Sequence, residues 1–195
     1  MLKAKELYRL LESELKPLLT RHGFKKQRAS RLTFQKLVGE KYHSVWFQCD
    51  KHGWDAMSGG KFYVNFTVSE SPDVEGSARR EERLNHFLTD SELAFAREHR
   101  DEIVRRIPRP PESYFENLLS GLSKSVPAES AASLVDTVRG YFEPEPIPYR
   151  RHQDFALRYW LPGDVIVWAR FIESIIPRAI ADMQSWSLPP FGAKS

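Results

Sequence analysis

Four groups of side chains in this sequence have types and spacings that could do chemistry. His43, Cys49 and His52 offer two imidazoles and a thiol close together in the chain, with His22 as the nearest fourth ligand. Zinc or copper would need three or four such groups converging on one point. Against that, Cys49 alternates with Val45 and Phe47, so it falls on an apolar strand face where a free thiol packs as a small hydrophobe. The three remain weak metal candidates, and no cofactor is expected.

The second group is Asp50, His52 and Asp55, which could supply a general acid and base, with His22 and Arg31 as further polar groups. Geometry decides such roles, and the chain order alone does not supply it. The third is aromatic and polar: Tyr42, Trp46 and Gln48 in one segment, Tyr63, Asn65 and Thr67 in another. Rings beside amides and hydroxyls form ligand-binding walls or stacking platforms. The candidate ligand-binding residues are therefore Trp46, Gln48, Tyr63, Asn65 and Arg31. If helices cover that face, Trp46 and Tyr63 belong to a second core layer instead. The fourth group is basic: Arg21, Lys25, Lys26, Arg28 and Arg31, continued by Lys36 and Lys41 and interrupted only by Glu40. Such a patch can meet phosphates or an acidic protein. It can equally be the solvated edge of a hairpin, where lysine discourages edge-to-edge pairing.

Elements that would position these groups follow from periodicity. Leu7, Leu11, Leu15 and Leu18 lie on one face of a helix over 2–22, ended by Gly23 and with Pro17 expected to kink it. Leu32–Val38, Tyr42–Asp50 and Lys61–Ser69 alternate with the period of half-buried strands, joined at Gly39-Glu40 and Ser58-Gly59-Gly60. They predict an antiparallel meander with Phe62, Val64, Phe66 and Val68 toward the core. After Ser71-Pro72 the pattern reads as helical throughout. Arg79-Arg80-Glu81-Glu82-Arg83 reads as solvated charge pairs at helical spacing. Thr89 and Glu92 form a capping box for a helix stopped by Pro108. Shorter helices follow from Glu112 and from Pro127, then a proline strap over Pro144–Pro148, and a last helix opened by Leu161-Pro162-Gly163. In that helix Val165, Trp168, Ile172, Ile175, Ala179 and Met183 make a core stripe, Pro177 is expected to kink it, and the 187–195 tail is expected to fray.

The fold class is therefore α+β: an antiparallel meander of three or more strands after an N-terminal helix, packed by several C-terminal helices. One domain over 1–195 is expected, and the prolines near residue 109 would permit a helical subdomain over 109–195.

The 195 residues are 41% hydrophobic and 12% aromatic, with five tryptophans, which excludes an intrinsically disordered chain. The longest uncharged run, Met183 to Ala193, is far shorter than the roughly 20 apolar residues of a membrane span. A single cysteine excludes an internal disulfide framework, and the charged first segment lacks a signal-peptide core, so a cytoplasmic protein is expected. Phosphate-binding glycine loops, zinc-protease, nucleophile-elbow and paired-cysteine motifs do not occur in the sequence.

Two blocks, LKPLLTRHGFKK (Leu15–Lys26) and WFQCDKHGWDAMSGGKFYVNFTV (Trp46–Val68), resemble a bacterial family known as domain-of-unknown-function family 4304. The shared features are a leading helix, a GFKK turn into the first strand and a GGKF strand. The closing helix from Gly163 to Met183, with Trp168 and Pro177, is similar to that family's last segment. The chain departs from the pattern in carrying Gln48-Cys49-Asp50-Lys51 where the family brings Gln and Lys closer, and in a longer middle. The resemblance implies the helix-plus-meander fold and no activity, cofactor or catalytic residue. Function is expected to be that of a non-catalytic binding module for a protein partner or small ligand held between sheet and helices, as a monomer or homodimer without membrane contact. The alternatives are an enzyme on a small or phosphorylated substrate in a sheet–helix cleft, using His22, Asp50, His52 or Arg31, and nucleic-acid binding through the basic hairpin.

Overall fold

The computed structural model describes residues 2–29, 31–49, 59–73, 78–140, 142–143 and 156–188. Helix α1 (Ala4–Arg21) buries Leu7, Leu11, Leu15, Leu18 and Leu19. It continues through Pro17, whose missing N–H costs one rung of the helix ladder without ending it. The end is a Schellman motif: the Phe24 N–H reaches the Leu19 carbonyl and the Gly23 N–H the Thr20 carbonyl, both at 2.9 Å. Gly23 makes this possible with φ of 84°, a left-handed value that side chains disfavour.

The sheet follows. Strand β1 (Lys25–Lys26) pairs with β2 (Leu32–Val38), β2 with β3 (Lys41–Cys49), and β3 with β4 (Gly60–Ser69), all antiparallel. The meander expected from alternation is present, and the sheet extends beyond it. Strand β5 (Arg79–Arg83) pairs with the end of β4, and β6 (Leu157–Tyr159) pairs with its beginning. The expectation of uninterrupted helix after Pro72 is thus corrected. Neither strand carries a hydrophobic alternation of useful length. What makes them strands is the free edge of β4, whose N–H and C=O groups need partners.

Four helices complete the order: α2 (Asp90–Arg106), α3 (Glu112–Leu122), α4 (Ala128–Gly140) and α5 (Pro162–Met183). The Thr89 hydroxyl and Glu92 carboxylate close the expected capping box of α2. Arg178 of α5 also bonds that carboxylate, at 2.8 Å. Burial alone would weaken the Glu92 carboxyl as an acid, but the bonds from Thr89 and Arg178 outweigh it and hold its pKa below the ordinary value. All six residues of the expected α5 stripe are buried, and this helix also runs through its proline, Pro177. Residues α1 and α5 contribute meet Phe34, Val45, Phe47, Phe62, Val64, Phe66 and Val68 in one apolar core. Helices α3 and α4 pack chiefly on each other. Rings of Phe95, His99, Trp168 and Phe171, with neighbouring centroids 4.7–5.9 Å apart, join α2 to α5. Among the described residues no helix is long and apolar enough to cross a membrane. The Pro144–Pro148 strap, the loop over 50–58 and the tail beyond Leu188 lie outside the described residues.

Candidate functional site

A strand period of two divides this sheet into unlike faces. One carries the phenylalanines and valines of the core. The register aligns the other in cross-strand rows: Gln35, Ser44, Thr67 and Glu81 in one, Thr33, Trp46, Asn65 and Arg83 in the next, with Gln48 opposite Tyr63 beyond them. The expected ligand face is therefore continuous, and β5 widens it with Arg79, Glu81 and Arg83. Those three escaped the sequence reading because a run of charges was assigned a helical period. Their spacing of two was the available signal.

Inside this face most polar groups are matched. The Trp46 Nε1–H donates to the Thr67 hydroxyl at 2.9 Å, and Thr67 in turn bonds the Glu81 carboxyl. Glu81 is exposed at its strand, yet burial around the carboxyl raises it above the usual carboxylate range, with Arg79 and Arg83 pulling the other way. The Gln35 amide donates to the Ser44 hydroxyl at 3.0 Å and to the Pro72 carbonyl at 3.1 Å. Two guanidinium groups lie on ring faces: Arg31 is 5.1 Å from the Trp46 ring centroid, and Arg83 is 4.5 Å from that of Tyr63. Asn65 differs in both of its side-chain polar atoms. It is 1% exposed, and among the described residues neither its Oδ1 nor its Nδ2 has a hydrogen-bond partner. Leaving a buried amide unpaired costs on the order of 1–3 kcal/mol.

Expectations for this face are met unevenly. Trp46, Gln48 and Tyr63 are half-buried, so they are neither an open platform nor a second core layer, whereas Asn65 and Thr67 are fully buried. Arg31 is exposed at the start of β2, over Trp46.

The basic patch is partly tied up. Lys26 pairs with Glu12. Lys36 bonds the His22 carbonyl at 3.3 Å and lies over Phe24. Arg21, Lys25 and Arg28 are exposed. With Lys25 and Lys26 forming the outermost strand, the edge-protecting role of lysine fits their position.

Of the weak metal set, the two described members stand apart. His43 and Cys49 share a face of β3 but are six residues apart, about 20 Å at the rise of a strand. His52, Asp50 and Asp55 lie outside the described residues, and among the described residues no group of three or more metal-ligating side chains occurs. Cys49 instead belongs to a tyrosine cluster: its N–H donates to the Tyr8 hydroxyl at 3.1 Å, and its sulfur is 3.9 Å from the Tyr159 hydroxyl. Burial pushes both phenols upward, Tyr159 far beyond the ordinary range. His22 follows the end of α1, and Arg31 immediately precedes β2.

His43 has a separate consequence. It is 3% exposed, and its Nδ1 has no hydrogen-bond partner among the described residues. Burial first, and then Lys36 and Lys41, hold the imidazole below its ordinary value. The unfolded chain, with His near 6.5, then binds more protons than the native one. The stabilising contribution is complete above that value and is lost as pH falls toward the lowered native one. Urea midpoints measured from pH 7.5 to 5 should fall on acidification, and His43→Gln should flatten that slope. An unchanged slope in the variant would remove His43 from the account.

No protein-family model matches the chain, and no curated protein or solved structure matches it either.

Proposed function

We propose that the protein is a non-catalytic binding module whose polar sheet face holds a small ligand. The observation that carries this reading is the buried amide of Asn65, unpartnered among the described residues and set between the Trp46 and Arg83 positions of its row. Buried polar groups are ordinarily paired, and a buried amide with neither atom bonded among the described residues marks a place where a partner fits. The surrounding groups are rings, amides, hydroxyls and guanidinium groups, which bind and orient. A nucleophile paired with a base is not part of the set. The Arg31 guanidinium, exposed over Trp46, favours a ligand with negative charge.

Native mass spectrometry of the purified chain, compared with its denatured mass, tests this. The expected spectrum shows an additional small mass that disappears on denaturation and is absent from Trp46→Ala. A bare mass, together with no thermal shift across a panel of small anions, would overturn the reading.

A further inference from the structure

We propose that the groove between α2 and α5 binds a small aromatic carboxylic acid, its ring on Phe95 and its carboxylate on Arg170. This site shares no residue with the polar sheet face and does not rest on the reading given for that face. The groove has a volume of about 450 Å³, within the range of cavities that take small ligands. Phe95, Val167 and Phe171 form its apolar part, and Arg170 lines it with Ser91 and Ser174. Phe95 is 42% exposed, although it ends a ladder of rings that starts in the core at Trp168 and passes through His99 and Phe171. Its centroid is 5.1 Å from that of Phe171, with the two rings tilted by 32°. A flat ligand ring in the groove extends this ladder by one member. It covers apolar surface of Phe95 that water now meets and adds the attraction of an aromatic pair.

Charge selects the other half of the ligand. Two groups of opposite sign line the groove, Glu92 and Arg170. Glu92 already has its partners: Arg178 donates to the carboxylate at 2.8 Å and the Thr89 N–H at 2.7 Å. Arg170 is exposed and makes no hydrogen bond or ion pair among the described residues. Ser174, one turn along α5, donates its hydroxyl proton to the Phe171 carbonyl at 2.7 Å. Among the described residues the guanidinium is therefore the free donor of that wall. Its single uncompensated charge matches one carboxylate, which it can hold by two parallel hydrogen bonds. A phosphate dianion would set a second negative charge near Glu92, which disfavours it. An aliphatic acid would reach Arg170 as well but leave the Phe95 ring without a ring partner.

Titration calorimetry on the full chain with benzoate, phenylacetate and phenylpropionate tests the inference, with phenylethanol, butanoate and phenyl phosphate as references. At least one aromatic acid is expected to bind with a dissociation constant below about 1 mM. Arg170→Gln is expected to weaken that binding about tenfold, and Phe95→Ala by about the same factor. Both side chains are exposed, so both variants are expected to melt close to the parent. If Phe95→Ala melts lower, Phe95→Leu keeps the apolar bulk, removes the ring and is expected to weaken the aromatic acids about threefold. Absence of binding by all three acids overturns the inference, and so does binding that either Arg170→Gln or removal of the Phe95 ring leaves unchanged. Phenylethanol binding as tightly as the acids overturns the role of Arg170 and the proposal with it. Butanoate binding as tightly, or phenyl phosphate more tightly, overturns the ligand class.

Discussion

Asp164→Ala is expected to lower the stability of the chain by about 3 kcal/mol, read as a shift of the urea midpoint at constant slope. The carboxylate is 3% exposed. One oxygen accepts the backbone N–H groups of Trp160 and Leu161, both at 2.8 Å. The other accepts from the Arg106 guanidinium at 2.6 Å. Leu161 precedes the helix at the cap position without a hydroxyl or amide to offer, so satisfaction of the entering chain falls to Asp164 in the first turn. Alanine leaves two backbone donors unpaired and removes the negative charge from the positive end of the α5 dipole. Arg106→Ala should cost much less, under about 1 kcal/mol, because that side chain is 45% exposed and its charge is screened. Asp164→Asn should fall between the two, keeping an acceptor for the backbone while losing the ion pair. A loss for Asp164→Ala within about 0.5 kcal/mol of the parent would defeat the argument. An Arg106→Ala loss as large as that of Asp164→Ala would move the energy from the backbone bonds to the ion pair.

Periodic elements were legible in the sequence for the reason that makes them form. The leucines of α1 and the stripe from Val165 to Met183 each bury one helical face, and the alternation of Phe62, Val64, Phe66 and Val68 each time selects the same side of a strand. Trp46, Gln48, Tyr63 and Asn65 group together in the sequence because the same alternation fixes the opposite face. Strands β5 and β6 could not. Arg-Arg-Glu-Glu-Arg and Leu-Arg-Tyr are strands because β4 offers an edge to each of them, and that edge is a tertiary fact. With β5 misassigned, Glu81 and Arg83 stayed outside the candidate site, although Arg83 shares a row with Asn65 and Trp46. Contact between Cys49 and Tyr159, far apart in the chain, was out of reach in the same way. The orphaned amide was invisible for a further reason. Type and spacing say where Asn65 points, and only packing says what fails to meet it.

The two faces also divide the labour of the sheet. Helices α1 and α5 close the apolar side chiefly with aliphatic side chains that have no polar atoms to satisfy, which makes that side intolerant of charge. The polar side is specified by individual bonds such as Trp46 to Thr67 and Gln35 to Ser44. On the binding-module reading proposed above, substitutions there should change ligand binding before they change the fold. Strand β4 belongs to both, since it carries Asn65 on one face and four core residues on the other. Anything that disturbs its pairing reaches the site.

Gly60→Ala is the substitution expected to do so, with a loss of about 3 kcal/mol. Gly60 opens β4 directly opposite Tyr159 of β6. A Cβ built on it would lie 2.2 Å from Cζ, 2.4 Å from the hydroxyl oxygen and 2.7 Å from Cε1 of that ring. A flexible side chain could swing aside, but this ring cannot. It is 1% exposed, its centroid is 6.1 Å from that of Phe62, and its hydroxyl meets the Cys49 sulfur. Relief must come from the backbone, by parting β6 from β4. Parting them also disturbs the Arg158 carbonyl that accepts the Trp168 indole N–H. The clash is specific to one partner, so removing that partner should remove the effect. Tyr159→Ala alone costs the packing of a large aromatic, about 3–5 kcal/mol. In its background the added methyl enters vacated space, and Gly60→Ala should then be nearly neutral, a coupling of about 2 kcal/mol or more. Chemical denaturation of the four proteins in that cycle gives the coupling directly. If the two losses simply add, the cost lies in the intrinsic preferences of Gly60 and not in the ring above it.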